Sequence, residues 1–129
     1  SYHRDVVRHL RTGVHVVTPM MRLQDPKQTK MLVVTLPETT PVLEAESLQA
    51  DLQRAGIEPW AWVINSSLLA ASPSDPLLVA RAAEERRHIE RVQQSVSRVA
   101  IIPWLTQEPT GSERLLEISR SKAEFCVSS

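Results

Sequence analysis

KMLVVTLPETTPVLEAESLQADLQRAGIEPWAWVINSS, residues 30–67, decides the fold. Two apolar runs, Met31–Leu36 and Trp60–Ile64, flank a stretch that repeats apolar residues at helical spacing: Val42, Ala45, Leu48, Leu52 and Ala55. Both runs are apolar at nearly every position, which predicts parallel strands buried on both faces. Pro37 ends the first run. Thr40 is placed to cap the helix, with Pro41 at its first position, where a missing N–H costs nothing. Gly56 stands where a left-handed residue closes a helix.

The pattern continues on both sides. Asn65–Asp75 reads as a loop rich in Ser and Ala, and Asp75–Pro76 repeats the cap-plus-proline start. The helix that follows runs to about Ser97, with Leu78, Ala82, Ile89, Val92 and Val96 inside. Glu84, Glu85, Arg86, Arg87, Glu90 and Arg91 form a solvated outer face. Val99–Ile102 is a third strand, stopped by Pro103. Thr110 and Glu113 have capping-box spacing for a last helix around Leu115, Leu116 and Ile118. Upstream, Val6, Val7 and Leu10 mark a helix over Tyr2–Arg11. Val14–Asp25 reads as a loop or short helical turn, with Met20 and Met21 as packing material.

These elements predict an α/β fold: a three-stranded, mainly parallel sheet with flanking helices. One partial domain is expected over residues 1–118, followed by a polar tail, 119–129, expected to be disordered. Strands lying side by side in sequence order put both crossover helices on one face. The other face then needs a cover: the N-terminal helix, the missing half of a longer protein, or a second copy of the chain.

Composition narrows the function classes. Of 129 residues, 15 are Lys or Arg and 15 are Asp or Glu, so no basic excess points to nucleic acid or an anionic membrane. No apolar run approaches the roughly 18 residues of a membrane span, and no charged-then-apolar leader opens the sequence. A single cysteine, Cys126, excludes an internal disulfide and fits a cytoplasmic setting.

Several chemistries are missing. With only Gly13, Gly56 and Gly111, neither a G-x-x-x-x-G-K-[ST] phosphate loop nor a G-x-G-x-x-G turn is possible. His3, His9, His15 and His88 lack metal-site spacing with one another or with Cys126. His88 falls on the charged helix face and reads as solvated. Cys126 reads as a free thiol, because a thiophilic metalloid wants two or three convergent thiolates.

What remains gathers just past the strands, on the rim where open parallel sheets take ligands. Asn65 follows the second strand directly. Its carboxamide offers a donor and an acceptor, matching the edge of adenine, though an Asx turn explains it equally. Pro103, Trp104 and Leu105 hold the equivalent place after the third strand, as a flat wall for a purine ring or as a loop folded on the domain. Pro37–Thr40 could meet a ribose, a phosphate or a partner subunit, while capping alone accounts for Thr40.

QDPKQTKMLVVTLPETTPVLEAESLQADLQRAGIEPWAWVINSSL (24–68), PLLVARAAEERRHIERV (76–92) and RVAIIPWLTQEPTG (98–111) resemble the late portion of the catalytic half of an arsenical pump-driving ATPase, and YHRDV (2–6) fits too. The wider group includes the tail-anchored-protein targeting ATPases and the deviant-Walker-A partitioning ATPases. The resemblance implies the C-terminal portion of a P-loop NTPase domain that pairs two halves around ATP and Mg²⁺ and drives arsenite or antimonite extrusion through a membrane pump. It assigns adenine recognition to Asn65 and packing on the base to Pro103, Trp104 and Leu105. It implies as partners the remaining N-terminal part of the ATPase or a second copy, and the pump subunit, with peripheral contact at the inner membrane. The family often reads Asn-Asn-Ser where this chain has Asn65-Ser66-Ser67. The phosphate loop, the Mg²⁺-linked switch and the metalloid cysteines of the family lie upstream of anything present here. The chain alone is therefore expected to lack ATPase activity. The rival reading is a non-catalytic, dimeric interaction module derived from such an ATPase.

Overall fold

The computed structural model describes residues 16–120 and the backbone of 124–127. The expected helix over Tyr2–Arg11 lies outside the described residues. The elements are α1 (Pro19–Gln24), β1 (Leu32–Thr35), α2 (Thr39–Arg54), β2 (Ala61–Ser67), α3 (Leu68–Ala71), α4 (Pro76–Ser95), β3 (Arg98–Pro103), α5 (Ser112–Arg120) and β4 (Glu124–Val127).

The strands lie in sequence order, β1-β2-β3-β4. β1 pairs with β2 and β2 with β3 in parallel, as the β-α-β alternation dictates. The fourth strand runs antiparallel to β3, inside the polar stretch 119–129, where disorder is expected from the sequence. Its backbone pairing was not legible because four residues, EFCV, carry too little periodicity.

Paired residues of parallel strands share a face. Val33, Thr35, Trp62, Ile64, Val99 and Ile101 therefore form one face, and all are buried. Val42 and Ala45 from α2 and Ile89 and Val92 from α4 cover it, making one core. Both crossover helices thus lie on one side. On the opposite face Leu32 and Val34 are exposed while Ala61 of β2 is buried, so the expectation that β1 is buried on both faces fails among the described residues. β1 is the edge strand, and among the described residues no helix packs over its second face.

Gly56 takes φ +74. Its N–H bonds to Gln53 O and the N–H of Ile57 to Leu52 O, the double closure of a Schellman end. Asp75 caps α4 through Leu77 and Leu78 N–H, as its spacing predicted. By contrast α2 begins at Thr39, with Glu38 at the cap and no side-chain bond there. Pro41 is then the third residue, which suits it equally well because the first turn's N–H groups have no intrahelical partner. The proposed Thr110 capping box is displaced too. Gly111 (φ +85) supplies the carbonyl that accepts from Leu115 N–H, so α5 starts one residue later. Met20 and Met21 are exposed rather than packed. α1 is tied down by polar bonds, Gln24 Nε2 to Ala55 O at 2.8 Å and Thr18 Oγ1 from Met21 N–H at 3.2 Å. No described helix is long and apolar enough to cross a membrane.

Candidate functional site

The carboxyl ends of β1, β2 and β3 meet at one rim. An open cavity of ≈ 720 Å³ lies there, bounded by the Leu36–Pro41 turn, by Ser66 and Leu68, by α4, and by Trp104. Thr39, Arg81, His88 and Trp104 give it a hydroxyl, a guanidinium, an imidazole and one aromatic face, with Glu38 and Glu84 adding carboxylates. Thr39 Oγ1 and His88 Nε2 stand 3.4 Å apart, so α4 reaches the turn after β1. The placement of His88 on a solvated face is thereby corrected: it is half-buried and faces this cavity.

β2 is longer than its apolar run suggested, and Asn65 belongs to the strand rather than to a loop. The pairing with β3 slips between Ile64 and Ser67. In that slip Ser66 adopts a left-handed φ of 57°, uncommon for a side chain other than Asn, Asp or Gly. Asn65 is half-buried, and its carboxamide makes no hydrogen bond among the described residues. It borders a smaller hollow of ≈ 330 Å³ with Val34, Thr35, Leu36 and Pro41. Pro103 lies beside Ser67 in the ladder. Trp104 donates its backbone N–H to Ser67 O at 2.9 Å, and its exposed ring borders the large cavity. Leu105 turns instead to a separate hollow with Pro109, Arg114 and Ile118. The four residues singled out from sequence therefore share a rim but not a single pocket.

The residue that sequence reasoning missed is Glu85. Assigned to the solvated face, it is buried at 8% exposure. Its carboxylate accepts from Ser67 Oγ at 3.0 Å and from the N–H groups of Leu68 and Leu69 at 3.1 Å each. A signal was available. Leu78, Ala82, Glu85, Ile89, Val92 and Val96 recur at alternating spacings of four and three, so Glu85 stands on the apolar stripe itself. Among the described residues, no three His, Cys, Asp or Glu side chains converge as a metal site would require.

A mainly parallel sheet in sequence order, with polar groups and an open cavity at the carboxyl rim, defines an α/β domain of the class that takes ligands over its strand ends. Residues 2–122 match the family described as anion-transporting ATPase. The chain belongs to that family, and the sheet with its flanking helices agrees with a P-loop NTPase domain. It is 55% identical over 119 residues to an arsenical pump-driving ATPase of Escherichia coli, a match covering 92% of this chain and 20% of that protein. A protein of the same description from Acidiphilium multivorum is 54% identical over 119 residues, with the same coverage. The chain thus spans about a fifth of the length of these relatives.

Proposed function

We propose that this chain forms the adenine-recognising part of an ATP-driven arsenite or antimonite extrusion ATPase, with the phosphates and Mg²⁺ handled by residues outside it. The observation that carries this reading is the half-buried Asn65 carboxamide, placed at the carboxyl end of a parallel strand with no side-chain partner among the described residues. A carboxamide can donate and accept at once, which suits the adenine edge. Pro103 lies beside Ser67 in the ladder, and the exposed ring of Trp104 stands on the same rim, bordering the neighbouring cavity. The described residues do not enclose a base on their own, so the rest of the pocket comes from elsewhere in the ATPase or from a second copy.

Phosphoryl transfer depends on positioning and on stabilising charge at the phosphates. The chain has no glycine-rich loop for that task. ATP binding to the chain alone is therefore weak, and turnover is absent. In the parent protein the setting is cytoplasmic, with contact to the membrane through a pump subunit.

Titration of the chain with ATP and GTP, followed by NMR at the Asn65 side-chain amide, tests the reading. Shifts with ATP that GTP does not reproduce, lost in Asn65→Ala, are the expected result. Equal response to both nucleotides, or none, rejects adenine recognition. Mg²⁺-dependent hydrolysis abolished by Asn65→Ala would show that the chain does more than is proposed.

A second reading has its own observation. The open sheet face carrying Leu32 and Val34 favours an interaction module that pairs with a partner ATPase segment or with another copy. A mass that rises with concentration and ignores ATP would favour it.

A further inference from the structure

We infer that Glu85 is the positioning residue of the rim: acting through Ser67, its carboxylate fixes the ends of β2 and β3 so that Asn65 and Trp104 are presented together. The functional meaning of this role rests on the proposed reading of the rim.

A buried carboxylate is costly unless it is fully hydrogen-bonded. Glu85 meets that condition with three donors, all from residues 67–69. Ser67, at 0% exposure, is the junction they act on. Its Oγ donates to Glu85 and accepts from Ala70 N–H at 3.1 Å, while its carbonyl accepts from Trp104 N–H at 2.9 Å. One side of Ser67 therefore leads back to Asn65 and the other leads across to Trp104.

Capping explains two of the three bonds: Ser67 Oγ takes Ala70 N–H of the four-residue α3, and Glu85 takes the Leu68 and Leu69 N–H groups of the same turn. The bond from Ser67 Oγ itself is left over, and it ties the strand end to α4. The strained residue lies on the other side, where Ser66 holds φ 57. Such a conformation persists when its surroundings over-determine it, and strain of this kind gathers where a precise presentation is needed. The Glu85 clamp begins at the very next residue. α4 is packed on the sheet through Ile89 and Val92, so the carboxylate acts from a helix seated on the core. At its exposed edge Arg91 also bonds Glu46 of α2 through two contacts of 2.8 Å.

Backbone amide exchange by NMR on the full chain, comparing wild type with Glu85→Ala and Glu85→Gln, tests the role. In Glu85→Ala the amides of Leu68, Leu69 and Trp104 should exchange about tenfold faster or more relative to Val33 and Val99 in the core. The Asn65 side-chain resonances should move with them. Glu85→Gln keeps the size and one acceptor oxygen, so Trp104 protection should fall between the other two. That variant also decides the matter if Glu85→Ala does not fold. Acceleration confined to Leu68 and Leu69 would reduce Glu85 to a helix cap. An even rise across all amides would reduce it to general stability, and a Gln variant identical to wild type at Trp104 and Asn65 would remove any need for the carboxylate. Each of these overturns the inference. ATP added to the same wild-type sample separates the two proposals: no response at Asn65 disposes of the nucleotide reading, while the exchange pattern still judges Glu85.

Discussion

Val33 and Val34 are neighbours in β1 with the same side chain and opposite surroundings, 1% and 61% exposed. Val33 points into the face covered by α2 and α4, and Val34 points away from it. The contrast is sharpest at β1, since on the second face Ala61 is buried and Val63 and Ala100 are half-buried. On the covered face Trp62 is fully buried and its indole N–H reaches Gln49 Oε1 at 2.6 Å. On the open face Leu32 joins Val34 in solvent. Near-uniform hydrophobicity along β1 belongs to a strand with cover on both sides. The chain's own described residues provide cover on only one.

The contrast can be broken by truncating side chains. Trp62→Ala on the covered face should cost roughly 3–5 kcal/mol, read as a large fall in the urea midpoint, because it empties the centre of the core. A small loss would mean that this face packs loosely. Val33→Ala should cost about 2 kcal/mol by the same measurement. Its twin Val34→Ala should stay within about 0.5 kcal/mol, as surface substitutions do. Equal costs for the two valines would show that something covers the open face in solution. Sedimentation of Val34→Asp against wild type would then tell whether a second copy is responsible.

A subtler effect is electrostatic. The hydrogen bond from Arg91 is the chief cause of a lowered Glu46 pKa; the guanidinium charge adds to it and partial desolvation opposes it. A carboxylate with a lowered folded-state pKa contributes stability that is complete above its unfolded pKa and is lost as pH falls through the folded one. Glu46→Gln should therefore lower stability slightly at neutral pH, converge on wild type once pH falls below the folded-state pKa, and so flatten the acid limb of the stability curve. The pair is partly exposed, so salt should weaken it. An acid limb identical to wild type would show that the ion pair contributes nothing.

Rim residues divided along a different line. Asn65, Pro103, Trp104 and Leu105 stand out in the sequence because they lie at or just past the ends of apolar runs. Glu85 was lost because charge outweighed position: a carboxylate within EERR reads as surface unless the stripe from Leu78 to Val96 is counted through it. His88 was misread for the same reason. Its approach to Thr39 depends on how α4 lies against the turn after β1, which spacing along a helix does not reveal.

The sequence by itself determined the alternation of strand and helix, the parallel order, the Gly56 and Asp75 helix ends, and the family. All of these follow from local periodicity, backbone preference or residue identity. Only the tertiary structure decided which face of the sheet is covered, that β4 pairs back on β3, and that Ser67 takes Trp104 N–H on its carbonyl while giving its hydroxyl to Glu85. Those outcomes depend on contacts between residues far apart in the chain. The burial of a carboxylate in particular is settled by whether donors converge on it in three dimensions.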